Sequence, residues 1–245
     1  MKGRLKSRLF YLQNSLKLTV NRALHSCKFC LSGLDGFFID NKKSDFFDPM
    51  NHNSLLLKRN EIIFSEGKYP KGVFHIHRGL VKIFKYGKDG KEQIFQICKS
   101  GEVIGFRAIL SENPYNVNAA ALEDNTEICF ISKQDFNHYK ESNPQLQNRL
   151  IQELSTELQE WADFVTHMTQ KTVRQRTALA LVFLYEAYNQ KEINVAREDL
   201  ANMVGTATES LIRLINEFKK EAIISISARR IKVIDIESLK SIAEA

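Results

Sequence analysis

Between Arg197 and Phe218 of this 245-residue chain, REDLANMVGTATESLIRLINEF carries side chains able to read nucleic-acid base edges. Glu209 and Arg213 stand one helical turn apart, so a guanidinium that donates to guanine O6 and N7 shares a face with a carboxylate that accepts from a cytosine amino group. Thr206, Thr208 and Ile212 belong to the same first turns. Further on, EAIISISARRIKVIDI alternates apolar and polar residues in two runs, which predicts a β-hairpin of Ile223 to Ser227 and Arg230 to Ile234. Its tip carries Ala228, Arg229 and Arg230, and the two arginines have the chemistry of phosphate contacts.

These side chains need two helices and a turn to present them. Leu200, Ala201 and Val204 recur at helical spacing, Gly205 suits a turn of positive φ, and Leu211, Leu214 and Ile215 resume the stripe. The small Ala201 permits close crossing, and Thr208 is the expected N-cap of the second helix. Alone this is an αα corner. Followed at once by a hairpin, it reads as a winged helix-turn-helix whose second helix enters the major groove of double-stranded DNA.

Upstream, from about Leu55 to Ile131, short β-like runs alternate with turn signals such as Gly87-Lys88-Asp89-Gly90, the pattern of a small antiparallel roll that encloses side chains or a ligand. From Gln145 to about Met168 the chain predicts one long helix, with Ile151, Leu154, Leu158, Trp161, Val165 and Met168 three and four residues apart as a homodimer seam. Leu150 and Phe164 lie off that seam and are expected to pack on the roll, while Glu153, Glu157 and Glu160 read as its solvated side. A two-fold axis matches a palindromic DNA site. TVRQRTALALVFLYEAYNQ is an amphipathic helix backing the DNA-binding helices, Ile193 to Val195 is a short strand, and SLKSIAEA a helical tail.

The resulting fold class is α+β, divided into a basic N-terminal extension at 1–26, a β-roll sensor domain at 27–143, a dimerisation helix at 144–170 and the winged domain at 171–245. The net charge of +6 fits an anionic partner. The basic N-terminus lacks a continuous apolar core and cleavage site, and no run reaches membrane-spanning length, so a cytoplasmic protein that does not engage membrane is expected. Four cysteines without even spacing do not make a disulfide framework. His75 and His77 share one face of a strand and read as solvated rather than as metal or haem ligands. No nucleophile with base and oxyanion donor, phosphate-cradling loop or catalytic carboxylate pair is present, so no enzyme is expected. The competing class is a ligand-binding regulatory subunit whose roll gates a protein partner without DNA.

The order of roll, long helix and winged helix resembles the Crp/Fnr superfamily of bacterial transcription regulators over roughly Cys27 to Leu239, carried by GLVKIFKYGKDGKEQIFQICKSGEVIGF and by VAREDLANMVGTATESLIRLINEFKKEAIISISARRIKVI. That resemblance implies a cyclic-nucleotide-binding-like roll, RNA polymerase as a partner, and Glu209 and Arg213 as readers of a C and a G in each half-site. It places Thr208 where cyclic-AMP-responsive members have a base-reading arginine. Those members use a Gly-Glu pair for ribose and a later arginine for phosphate, whereas this chain has Gly105, Phe106 and Arg107 and no arginine near Asn116 to Ala119, so cAMP is not expected. The Fnr branch is nearer, and it implies an oxygen-labile iron–sulfur cluster. Cys27 and Cys30 form a C-x-x-C and Cys129 stands at the roll ligand's position, but the third N-terminal cysteine is missing. Cys98, Asp35 or His25 would have to complete the set, and a thiol switch of Cys27 and Cys30 is the other reading.

Overall fold

The computed structural model describes residues 54–245. Strands β1 (Ser54–Leu57), β8 (Thr126–Ser132), β3 (Gly72–Arg78) and β6 (Val103–Ile104) form one sheet in that order, and β2 (Ile62–Phe64), β7 (Asn118–Ala121), β4 (Leu80–Tyr86) and β5 (Glu92–Lys99) the other, with every pairing antiparallel. One face of each sheet shares a core around Ile76, Ile83, Phe95 and Ile128. Alternation along the strands sends Val73, Cys129 and Ile131 the other way, into a core with Phe136 of α2 (Lys133–Ser142) and Leu146 and Leu150 of α3 (Pro144–Gln170). It likewise sends Phe84, Ile94 and Ile97 into the core of the C-terminal helices. Both outer faces are therefore apolar, which is why β4 and β5 read as nearly continuous hydrophobic runs. A short helix, Phe106–Leu110, sits between β6 and β7.

Helix α3 starts where Pro144 occupies the first turn and the Asn143 side chain accepts from the backbone of Gln145 and Leu146. It stops before Thr172, which with Gln175 forms a capping box and opens α4 (Val173–Ala187). The inner side of α3 is fastened to the roll by Leu146, Leu150 and Phe164. Its opposite side leaves Ile151 62 %, Leu154 37 %, Leu158 71 % and Val165 54 % exposed. Two expected members of that stripe are turned inward. Trp161 packs tilted on Phe95 with ring centroids 5.6 Å apart, and Met168 lies against the turn at Gly205. Glu157, expected in solvent, instead pairs with Arg107 of the roll at 3.3 Å.

The winged domain follows with α5 (Arg197–Val204), α6 (Thr208–Lys220), a hairpin of β9 (Ile224–Ser227) and β10 (Arg230–Val233), and α7 (Ile236–Glu244). Gly205 caps α5 at φ 70°, and a Cβ there would stand 2.5 Å from Met168 Cε, so both backbone and space demand glycine. Ala207, not Thr208, is the N-cap of α6, and no side chain caps it; Thr208 is already the first helical residue. Ile193 to Val195 is reduced to a single bridge from Ile193 to Ile231, because Ile193 alone reaches the edge of β10.

Candidate nucleic-acid interface and sensor site

Helix α6 separates its two jobs by face. Leu211, Ile215 and Phe218 are buried against α4 and α5, with Ala201 at the crossing. Glu209, Ile212 and Arg213 face solvent, and Thr206 and Thr208 are half-buried at the start. Arg213 Nη2 lies 3.3 Å from Ser210 Oγ, a neutral contact that leaves its charge uncompensated. Ile212 offers the same face an apolar contact of the kind a thymine methyl accepts. At the far end of α6, Arg174 of α4 lies over the Phe218 ring at 4.7 Å and pairs with Glu217 and Glu221, anchoring the helix.

The wing places Arg229 and Arg230 in solvent, at and just after the turn made by Ala228 at φ 52°. They are not equivalent, since Arg230 Nη1 lies 3.2 Å from Glu192 Oε2. Arg176 was not singled out from sequence. Its guanidinium donates to the carbonyls of Met168, Lys171 and Val204, tying the end of α3 to the end of α5 through one planar group. Only spatial convergence reveals it, because a lone arginine in an amphipathic helix carries no local signal.

The winged domain is docked on the second sheet of the roll. Lys82 of β4 is 5 % exposed, and its ammonium lies 2.8 Å from Glu92 and 2.8 Å from Asp199 of α5. Burial works against that charge, but the two carboxylates more than compensate and hold its pKa above the ordinary lysine value. Arg59 donates to the other Asp199 oxygen at 2.7 Å. Beside this network Gln93 donates to the Asn202 carbonyl at 2.7 Å and Lys91 to the Thr206 carbonyl at 3.1 Å, so the β4–β5 hairpin holds the turn leading into α6.

Inside the roll the space is largely taken up by side chains. Phe64 and Tyr115 stack at 4.1 Å, and the Tyr115 hydroxyl lies 3.2 Å from the Gly72 carbonyl. What is left beside Gln96, Phe106, Arg107 and Glu157 is a cavity of about 30 Å³, room for one or two waters. Arg107 is engaged with Glu157 there.

The cysteine calls divide. Cys27 and Cys30, with His25 and Asp35, lie outside the described residues. Cys98 and Cys129 are both buried, but Cys98 belongs to the core inside the roll and Cys129 to the core under α2 and α3. They sit on different sheets, so Cys98 does not join Cys129 as a ligand. His75 corrects its expectation more sharply. It is 1 % exposed rather than solvated, directly paired in register with Cys129, and His77 stands edge-on at 4.7 Å between centroids. Burial first and His77 second lower the His75 pKa to about 4, so its imidazole is neutral at physiological pH. An N/S donor pair with Cys129 fits a metal such as zinc or iron. Among the described residues no group of three or more His, Cys, Asp or Glu side chains could hold a metal ion, and no helix is long and apolar enough to cross a membrane.

Comparison with known proteins agrees with this division of labour. Residues 55–143 match the cyclic nucleotide-binding domain family, and residues 175–242 the Crp-like helix-turn-helix domain family. The transcriptional activator protein FnrA of Stutzerimonas stutzeri is 26% identical, covering 95% of this chain and 98% of that protein. The transcriptional activator protein anr of Pseudomonas aeruginosa is 27% identical over 81% of this chain and 84% of its own length. In fold, FixK2 from Bradyrhizobium japonicum superposes with a TM-score of 0.70 at 20% identity, over 79% of this chain and 98% of that one. With its roll, connecting helix and winged domain in this order, the chain belongs to the Crp/Fnr family of helix-turn-helix transcription regulators.

Proposed function

We propose that this regulator acts as a parallel homodimer on a palindromic DNA site, paired through α3, with RNA polymerase as its eventual partner. The observation that carries this is the coexistence of two uncovered faces on otherwise packed helices: the apolar stripe of Ile151, Leu154, Leu158 and Val165, and the polar face of Glu209, Ile212 and Arg213. Pairing the first through a two-fold axis presents two copies of the second to two half-sites. Trp161 and Met168 support the stripe from its flank. Glu209 and Arg213 read base edges, Thr206 and Thr208 set the register of α6, and Arg229 and Arg230 meet phosphates. In this reading 27–143 senses, 144–170 dimerises, 171–245 binds DNA, and 1–26 is an extension.

The signal we assign to the same reading is metal or redox chemistry at Cys27, Cys30 and Cys129, with an iron–sulfur cluster as the candidate group. The buried N/S environment of Cys129 supports it, and the filled roll argues against cAMP. The test is a binding titration on labelled cognate and scrambled duplexes at several salt concentrations, with protein prepared anaerobically and analysed for iron and sulfide. Equal affinity for both duplexes would remove the assignment of α6 as reader. Protein without iron or sulfide, indifferent to oxidants and to Cys30→Ser, would remove the cysteine signal.

A further inference from the structure

The roll buries one polar side chain that no described residue satisfies. Both ring nitrogens of His75 lack a hydrogen-bond partner among the described residues, although the side chain is 1 % exposed. A neutral imidazole in that condition has a lone pair to give and nothing to receive it, the state in which histidine binds metals. Its surroundings supply a second donor. His75 and Cys129 are direct partners across β3 and β8, and directly opposed residues of an antiparallel pair have Cβ atoms about 4.5–5.5 Å apart on one face. The same face carries Val73 and Ile131 beneath α2 and α3, so water is excluded from it. An imidazole nitrogen about 2.0 Å and a thiolate about 2.3 Å from one metal ion fit that separation.

A two-donor site is incomplete, and the chain indicates where the rest comes from. Ser54, the first described residue of β1, is the partner of Cys129 on its other side, so the N-terminal segment enters the sheet beside this cysteine. That segment holds the C-x-x-C of Cys27 and Cys30, the spacing with which a chain turns two thiolates onto one metal. Between Cys30 and Ser54 the chain extends up to roughly 80 Å at 3.3–3.6 Å per residue, so reach imposes no limit. Cys98 lies in the other core and is not a competitor. His77 lies beyond the register shift after Ile76, away from the position opposite Cys129.

We propose that His75 is the fourth ligand of a metal centre completed by Cys27, Cys30 and Cys129, a three-sulfur, one-nitrogen set for iron, as a cluster, or zinc. This rests on the cysteine signal proposed above and supplies the ligand that the N-terminal sequence lacks. In a cluster the neutral imidazole leaves the centre one unit less negative than a fourth thiolate would, which raises its reduction potential.

The experiment loads full-length anaerobic protein in parallel with cobalt(II) alone and with ferrous iron plus sulfide, and determines metal per chain and first-shell atoms by X-ray absorption. Pulsed magnetic resonance on protein carrying nitrogen-15 histidine then identifies bonded nitrogen. The wild type should show three sulfurs and one histidine nitrogen. His75→Ala should weaken cobalt by about 100-fold or more, and His75→Cys should recover binding with four sulfurs. If His75→Ala does not fold, the nitrogen coupling of the wild type decides. Metal bound without histidine nitrogen, or a nitrogen signal abolished by His25→Ala and not by His75→Ala, overturns the role of His75 while leaving the cysteine reading intact. A wild type that takes up neither probe overturns both.

Discussion

Lys82 and His75 are both buried polar side chains of the same roll, on different sheets, and the chain treats them in opposite ways. Lys82 is closed, with two carboxylates at 2.8 Å and a third charged group, Arg59, sharing one of them. His75 is open, with neither ring nitrogen answered among the described residues. The closed site joins strand β4 to helix α5 and fastens the reading domain to the sensor. The open one lies on the sheet that receives the N-terminal segment. A buried polar group whose partners are all present holds the fold together, whereas one without them marks where something else is to be bound.

The largest effect that could break this contrast is at Asp199. Asp199→Ala leaves Arg59 unpaired and Lys82 with Glu92 alone, and removing one partner of a buried ionic group costs about 3–5 kcal/mol. Urea denaturation should show that loss, together with faster proteolysis between α3 and α4. A change under about 1 kcal/mol would mean the network does not fasten the domains. The open apolar stripe on α3 comes next. Leu158→Glu brings two carboxylates together at the proposed two-fold seam and should weaken the dimer by at least about 100-fold, near 2.7 kcal/mol. Light scattering at low micromolar concentration that still finds a dimer would place the seam elsewhere.

The same distinction between open and closed groups sorts the DNA contacts. Arg213, with its charge uncompensated, should lose about 1–3 kcal/mol per half-site on cognate DNA when changed to Ala, with non-specific binding nearly unchanged. Arg229→Ala should weaken every sequence alike and flatten the salt dependence by about one unit of slope. Arg230→Ala should have a smaller effect than Arg229→Ala, since Glu192 already offsets its charge; the reverse ranking would show that the exposed ion pair opens on DNA. The smallest effect is at His75. In metal-free protein, His75→Leu removes an unsatisfied buried group and should raise unfolding stability by about 1 kcal/mol. If thermal melts show a loss of that size instead, the imidazole already has a partner in the folded chain and the contrast with Lys82 disappears.

Much of this molecule was legible from local pattern. Gly205 between two apolar stripes announced the turn, ISIS and RIKV the wing, and Pro144 the start of the long helix, because each signal is carried by residues adjacent in sequence. Trp161 and Met168 show where such reading slips. A three-four repeat places them with Leu158, yet at 3.6 residues per turn they fall three and five turns beyond Leu150 and share its inward angle. The sequence alone therefore determined the order of roll, long helix and winged domain, the turn between α5 and α6, and the side chains offered to DNA. Tertiary structure decided which groups are open and which closed. Lys82 meets Asp199 across 117 residues, and His75 is buried only because α2 and α3 cover its sheet. Burial and partnership at that range depend on how elements stack, and no periodicity within a single strand encodes that.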